Sequence, residues 1–177
     1  MGTSEDRFTE VQRMKIRYLI PLVVVGLSLT LPVSVMGQEP VDLSTLVQRG
    51  DQYLVPGSLD PYTGPVVRYW SRSVIREWGQ LRNGYLHGPS ESYYENGQLR
   101  HRGSYSNGKR DGLFERYQRN GQLSSKGTYS NGEPNGPWEY YYENGQLFST
   151  GSYSNGEKCG EWIEEGETKT YPPCPNG

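Results

Sequence analysis

The chain has 177 residues, a formal charge of −2, a pI near 5.8 and a mean hydropathy of −0.82. Its 23 glycines and 12 prolines, with 15 tyrosines beside only 3 phenylalanines, argue against an oily helical bundle or a doubly wound enzyme core. No surplus of positive charge exists to neutralise phosphates, so no nucleic-acid partner is expected.

Leu19–Val35 is an uncharged apolar run preceded by Lys15 and Arg17 and followed by small residues at Val35 and Gly37. Residues 1–37 therefore read as a secretory signal cut after Gly37, with translation starting at Met14, where Met14-Lys15-Ile16-Arg17 opens a fresh basic segment. The alternative is a retained membrane anchor. Export places the protein in a bacterial periplasm, envelope or medium. Residues 38–63 form a lead-in. Asp42 as N-cap, Leu43, Leu46 and Val47 on one stripe and Gly50 as a stop predict a short helix over Val41–Gln48, and a strand is expected at Gln52–Val55.

From Gly64 the sequence repeats. Glycines at 64, 88, 112, 136 and 160 are each 24 residues apart, which defines units 64–87, 88–111, 112–135 and 136–159, a partial unit 160–165 and a proline-rich tail 166–177. Each unit has two Asn-Gly pairs between alternating polar and aromatic runs, except that the first has Arg72-Ser73 in place of one. Asn-Gly suits a two-residue type I′ turn, because its two central positions need positive φ. The expected fold is all-β: an extended, twisted antiparallel meander of 24-residue hairpins.

Pairing Glu95 with Gln98 gathers one apolar face. Its columns are Val66, Phe114, Trp138 and Trp162; Trp70, Tyr94 and Tyr142; Ile75, Leu99, Leu123 and Leu147; and Leu81, Tyr105, Tyr129 and Tyr153. The same register sets Trp138 opposite Gly151 and Phe114 opposite Gly127, so that rings cover strand glycines. The other face collects Tyr69, Tyr93, Tyr117 and Tyr141, flanked by Arg76, Arg100, Arg102, Lys109, Arg119 and Lys126. Such a ladder is a candidate face for an anionic or sugar-like ligand. The plainer reading is that tyrosine suits a half-exposed strand and that the basic stems pack along it. Acidic residues gather at the far end, in Glu157, Glu161, Glu164, Glu165 and Glu167.

In an oxidising compartment Cys159 and Cys174 are expected to pair and to fold the tail over the uncovered edge of the last strand. The register puts His87 and His101 on opposite faces, so no metal site is expected. Motifs for nucleophilic, metal-assisted or phosphate chemistry are missing from the sequence, and neither an enzyme nor a cofactor is expected.

The segment G-[ST]-Y-S-N-G-x-x-x-G at Gly103–Gly112, Gly127–Gly136 and Gly151–Gly160, followed by Trp138 or Trp162 and by Y-x-x-N-G, resembles the MORN repeat in its bacterial variant, the YwqK-like antitoxin repeats. The resemblance spans Gly64 to Glu165 and implies sheets of consecutive hairpins that serve as spacers, dimerisation surfaces or protein-docking platforms. It thus implies an exported structural or protein-interaction module with an unidentified protein partner. Two other functions come with it: an antitoxin or immunity-like role against a toxin, and contact with a membrane surface or glycan through the Tyr/Arg face. Self-association through a face or edge is a further expectation.

Overall fold

The computed structural model describes residues 38–175, so the signal over 1–37, its cut after Gly37 and the start at Met14 lie outside the described residues. The lead-in forms β1 (Val41–Asp42), a 3-10 turn (Leu43–Thr45), β2 (Val47–Arg49) and β3 (Gln52–Leu54). The helix predicted over Val41–Gln48 is reduced to that single turn. Asp42 does cap it, its carboxylate accepting from the Ser44 amide at 2.9 Å. Extended pairing on both sides stops it from growing: Val41 and Asp42 align in parallel with Val66 and Val67, and Val47–Arg49 pairs with Gln52–Leu54.

The array follows as β4 (Gly64–Ser71), β5 (Val74–Arg82), β6 (Tyr85–Leu86), β7 (Gly88–Tyr93), β8 (Leu99–Ser106), β9 (Lys109–Tyr117), β10 (Leu123–Ser130), β11 (Glu133–Tyr141), β12 (Leu147–Ser154), β13 (Glu157–Glu164) and β14 (Glu167–Thr170). The strands lie side by side in chain order from β4 to β14, with β6 attached to β5 and β1 at the outer edge of β4. Every pairing within the array is antiparallel, as the meander requires; only β1 is parallel to its neighbour.

Two kinds of turn alternate. At Asn107-Gly108 both residues have positive φ, 48° and 82°, the two-residue geometry expected of Asn-Gly; Asn83, Asn131 and Asn155 repeat it. At Asn96-Gly97 only the glycine is left-handed, at 83°. There Gly97 donates to the Tyr94 carbonyl and Tyr94 to the Gln98 carbonyl, so Glu95, Asn96 and Gly97 form a three-residue loop, and the Asn96 side chain accepts from the Gln98 amide. The expected pairing of Glu95 with Gln98 therefore fails at the turn, where Tyr93 faces Leu99. One extra residue, Arg100, bulges next, and from Ser92 opposite His101 onward the strands run in the predicted register.

Each unit is also stitched to its neighbours. The turn amides of Gly108, Gly132 and Gly156 donate at 2.8–2.9 Å to the carbonyls of Leu86, Arg110 and Pro134 in the preceding unit, and that of Gly84 donates to the Tyr62 carbonyl of the lead-in. At the other end of the strands Trp70, Tyr94 and Gln118 donate from their side chains to the carbonyls of Tyr93, Tyr117 and Tyr142.

The lead-in closes one end of this stack. Leu43, Val66 and Leu81 are buried together, with Leu46, Tyr53, Tyr62 and Leu86 packed around them. At the other end the structure corrects the sequence reading, which stopped the fifth unit at Glu165 and left β13 without an outer neighbour. Glu165 and Gly166, with φ of 54° and 86°, make a two-residue turn in place of Asn-Gly, and β14 pairs with Glu161–Glu164. Cys159 and Cys174 are joined, with Cα atoms 4.8 Å apart. Gly160 exchanges two backbone hydrogen bonds with Tyr171 and Pro172, so the tail covers the part of β13 that β14 does not reach.

Candidate functional site

Strand pairing carries two rows of side chains across the sheet, one on each face. On the first, Ser90, Gly103, Phe114, Gly127, Trp138 and Gly151 align, so that each ring stands between two glycines. A Cβ at Gly103, Gly127 or Gly151 would overlap the ring of Phe114, Trp138 or Trp162 respectively. The expectation that rings cover strand glycines holds in kind, but Trp138 lies on Gly127 and not on Gly151, and Phe114 on Gly103 and not on Gly127. Each ring leans toward the preceding strand, leaving its other side for the next tyrosine. Phe114 meets Tyr129 edge-on at 5.4 Å, Tyr129 meets Trp138 at 5.2 Å, and Tyr153 meets Trp162 at 5.0 Å. Tyr105 joins at Phe114 and Tyr171 closes the series on Trp162.

This packing buries Phe114, Trp138 and Trp162 largely by the sheet's own side chains, away from the lead-in that covers β4 to β6. Burial thins toward the three-residue loops. Leu99 and Leu123 are half-buried, whereas Trp70, Ile75, Tyr142 and Leu147 are exposed, so the predicted apolar face is continuous only across its middle.

On the opposite face Trp78, Glu91, Arg102, Glu115, Lys126, Glu139, Thr150 and Ile163 form one row. Tyr93, Tyr117 and Tyr141 stand two residues beyond the three glutamates, and each donates its hydroxyl to that glutamate. Arg102 is paired with Glu115 and Lys126 with Glu139, the latter at 2.9 Å. Burial pushes the Tyr93 hydroxyl up to about 12, with help from Glu91. Burial opposes ionisation of Glu115, yet the hydrogen bonds from Arg102 and Tyr117 hold its carboxyl below the usual range; Tyr141 and then Lys126 do the same for Glu139.

The ten residues singled out as a binding face are thus only partly brought together. Tyr93, Tyr117, Tyr141, Arg102 and Lys126 share the row, with their charges matched by glutamates that the sequence reading left out. Tyr69 stands near the end of β4, opposite Ile75. Arg76 lies over Trp70 at 4.6 Å and Arg119 over Tyr94 at 5.3 Å, both away from the tyrosine row. Arg100 is the bulge residue, and Lys109 sits at the two-residue turn, far along the strand from Tyr117. The missed glutamates had a signal, since Glu91, Glu115 and Glu139 recur at the same 24-residue period as the tyrosines.

His101 lies on the aromatic face. It stacks on Phe114 at 5.3 Å, and its Nδ1 is 2.8 Å from the Ser92 hydroxyl. Burial, reinforced by Arg100, Arg110 and Arg116, lowers its pKa to about 4. No three metal-ligating side chains cluster among the described residues, and none of the described helices is long and apolar enough to cross a membrane.

Residues 86–107, 110–131 and 134–155 match the family model of the MORN repeat variant. The three segments keep the 24-residue spacing and fall on β6–β8, β9–β10 and β11–β12. The β4–β5 hairpin, with Arg72-Ser73 at its turn, and the β13–β14 hairpin lie outside them. Over these three segments the hairpins are similar to MORN repeats. A search among curated proteins finds no match to the chain.

Proposed function

We propose that the protein is a non-enzymatic, exported structural or protein-interaction module built on MORN-type repeats. The observation that carries this reading is the stretch from β7 to β12, where the sheet is a single layer whose strands pack mainly against their neighbours in the sheet, between a lead-in that covers β4 to β6 and a tail that reaches Trp162. Each face has a regular chemical pattern repeated at the spacing of the units. Leu113 and Ile163 stand exposed at 59% and 49% beside the Glu–Arg–Tyr row, an arrangement of apolar and charged groups suited to a protein partner. The Cys159–Cys174 bond supports an oxidising compartment. Nothing in the geometry favours toxin neutralisation over other partners. Pairing of Arg102 and Lys126 with glutamates removes the free charge on which binding of an anionic surface by the tyrosine row would rest.

The test is a photo-crosslinking side chain placed at Leu113 or Ile163 in the producing cell. A discrete adduct from these positions, missing from a control position at Asn155 on the turn edge, is expected. Failure to form an adduct at either position, under conditions where the protein is exported and disulfide-bonded, contradicts the reading.

A further inference from the structure

Several basic residues without carboxylate partners lie on the aromatic face. Arg116 stands between His101 and Ser125 in the row, and neither it nor Arg100, Arg110 or Arg119 makes a salt bridge among the described residues. Arg116 and Arg119 open onto a groove of about 690 Å³ between the three-residue loops of successive units, with Tyr94, Gln118, Ser124 and Tyr142 among its other lining residues. That volume is in the range of small-ligand sites, about 300–1,000 Å³.

The geometry points to this groove as a binding site for an acidic saccharide, its carboxylate or sulfate held by Arg116 and Arg119 and its rings laid against Tyr94 and Tyr142. Guanidinium groups match oxyanions through paired N–H donors, and both are exposed to take one up. Much of the site is already fixed in place. The Tyr94 ring is tethered by its hydroxyl to the Tyr117 carbonyl at 2.8 Å and holds Arg119 over its face, while Gln118 is tied to the Tyr142 carbonyl at 3.1 Å. Such preorganisation lowers the ordering cost of binding. An extended peptide is a poorer fit, because β7 to β12 are paired on both sides and offer it no free backbone ladder here. Recognition must come from rings, amides, hydroxyls and guanidinium groups alone, and these suit a hydroxyl-rich ring. The three arginines that depress the His101 pKa report the same local excess of positive charge. One lining residue opposes it, Glu143.

Calorimetric titration of the full chain at low salt with trigalacturonate, its methyl ester and a short polyglutamate tests this. Trigalacturonate should bind, the ester should bind at least about tenfold more weakly, and Arg116→Ala and Arg119→Ala should each weaken binding about tenfold. Glu143→Gln should tighten it, and Arg82→Ala, beside the two-residue turn after β5 and outside the groove, should leave it unchanged. Thermal midpoints confirm that each variant is folded, and Arg116→Lys, which keeps charge but loses the fork, should still bind more weakly than wild type. Absence of trigalacturonate binding, equal binding of the ester, or equal binding of polyglutamate would overturn the proposal.

Discussion

Glycines in this chain do two different jobs, and substitution separates them. Gly151 lies under the Trp162 indole, so Gly151→Ala forces the ring away and should cost about 1–3 kcal/mol, as overpacking does. Gly136 has nothing within 4 Å of a built Cβ but a φ of +92°, so Gly136→Ala should cost about 1–2 kcal/mol through backbone strain alone. Gly112, with a φ of +95°, is constrained in the same way as Gly136. Urea unfolding measures both, and a neutral Gly151→Ala would mean the ring does not rest there. His101 offers a second test at this scale. Its folded pKa of about 4 lies below the ordinary 6.5, so the fold favours the neutral ring. That contribution is complete above about pH 6.5 and is lost as pH falls toward 4, where the unfolded chain binds the extra proton. Thermal midpoints should fall across this window, and His101→Gln should flatten the fall. Glu164 works lower on the scale: Lys158 and Lys169 hold its carboxyl at about 2, so its contribution fades only between about pH 4.5 and 2.

Among the elements, turn chemistry separates what was legible in the sequence from what was not. Asn-Gly announced a reversal at each site, and alternation around it announced strands, because a 24-residue period without insertions fixes both. Identical dipeptides do not specify identical turns. Asn107-Gly108 closes two residues, while Asn96-Gly97 is the end of a three-residue loop in which Asn96 turns its side chain onto Gln98. The error was local because the bulge at Arg100 cancels it, and the row of glycines and rings was readable despite it. The fifth hairpin was missed because Glu165-Gly166 lacks the asparagine, although a glycine at the second position carries much of the requirement. Its strand β14 is short, charged at Glu167 and Lys169 and followed by prolines, features that blunt an exposed edge. The disulfide then anchors the tail at Gly160. Cys174→Ser should cost about 3 kcal/mol by loop-closure entropy for a separation of 15 residues. It should also speed exchange of the Gly160 amide, whose partner is the Pro172 carbonyl. Unchanged unfolding with and without reductant would show that the tail is not anchored by the bond.

For the molecule as a whole, stability should be distributed along a line, since each unit touches mainly its neighbours. The candidate site was less legible than the fold. Periodicity revealed which positions repeat, but Arg102 and Arg116 both lie within repeats, and only the register assigns one to a glutamate and leaves the other free. The central claim is that hairpin units are stitched across their boundaries into one continuous array. Amide hydrogen exchange of the full chain measures this most directly, at Gly84, Gly108, Gly132 and Gly156. These amides sit in two-residue turns, yet each donates to the preceding unit or, for Gly84, to the lead-in, so they should be protected to a degree comparable with the strand amides around them, at every 24th residue. Exchange at the rate of open turn amides would contradict the account, because the hairpins would then stand side by side without the stitches that join them.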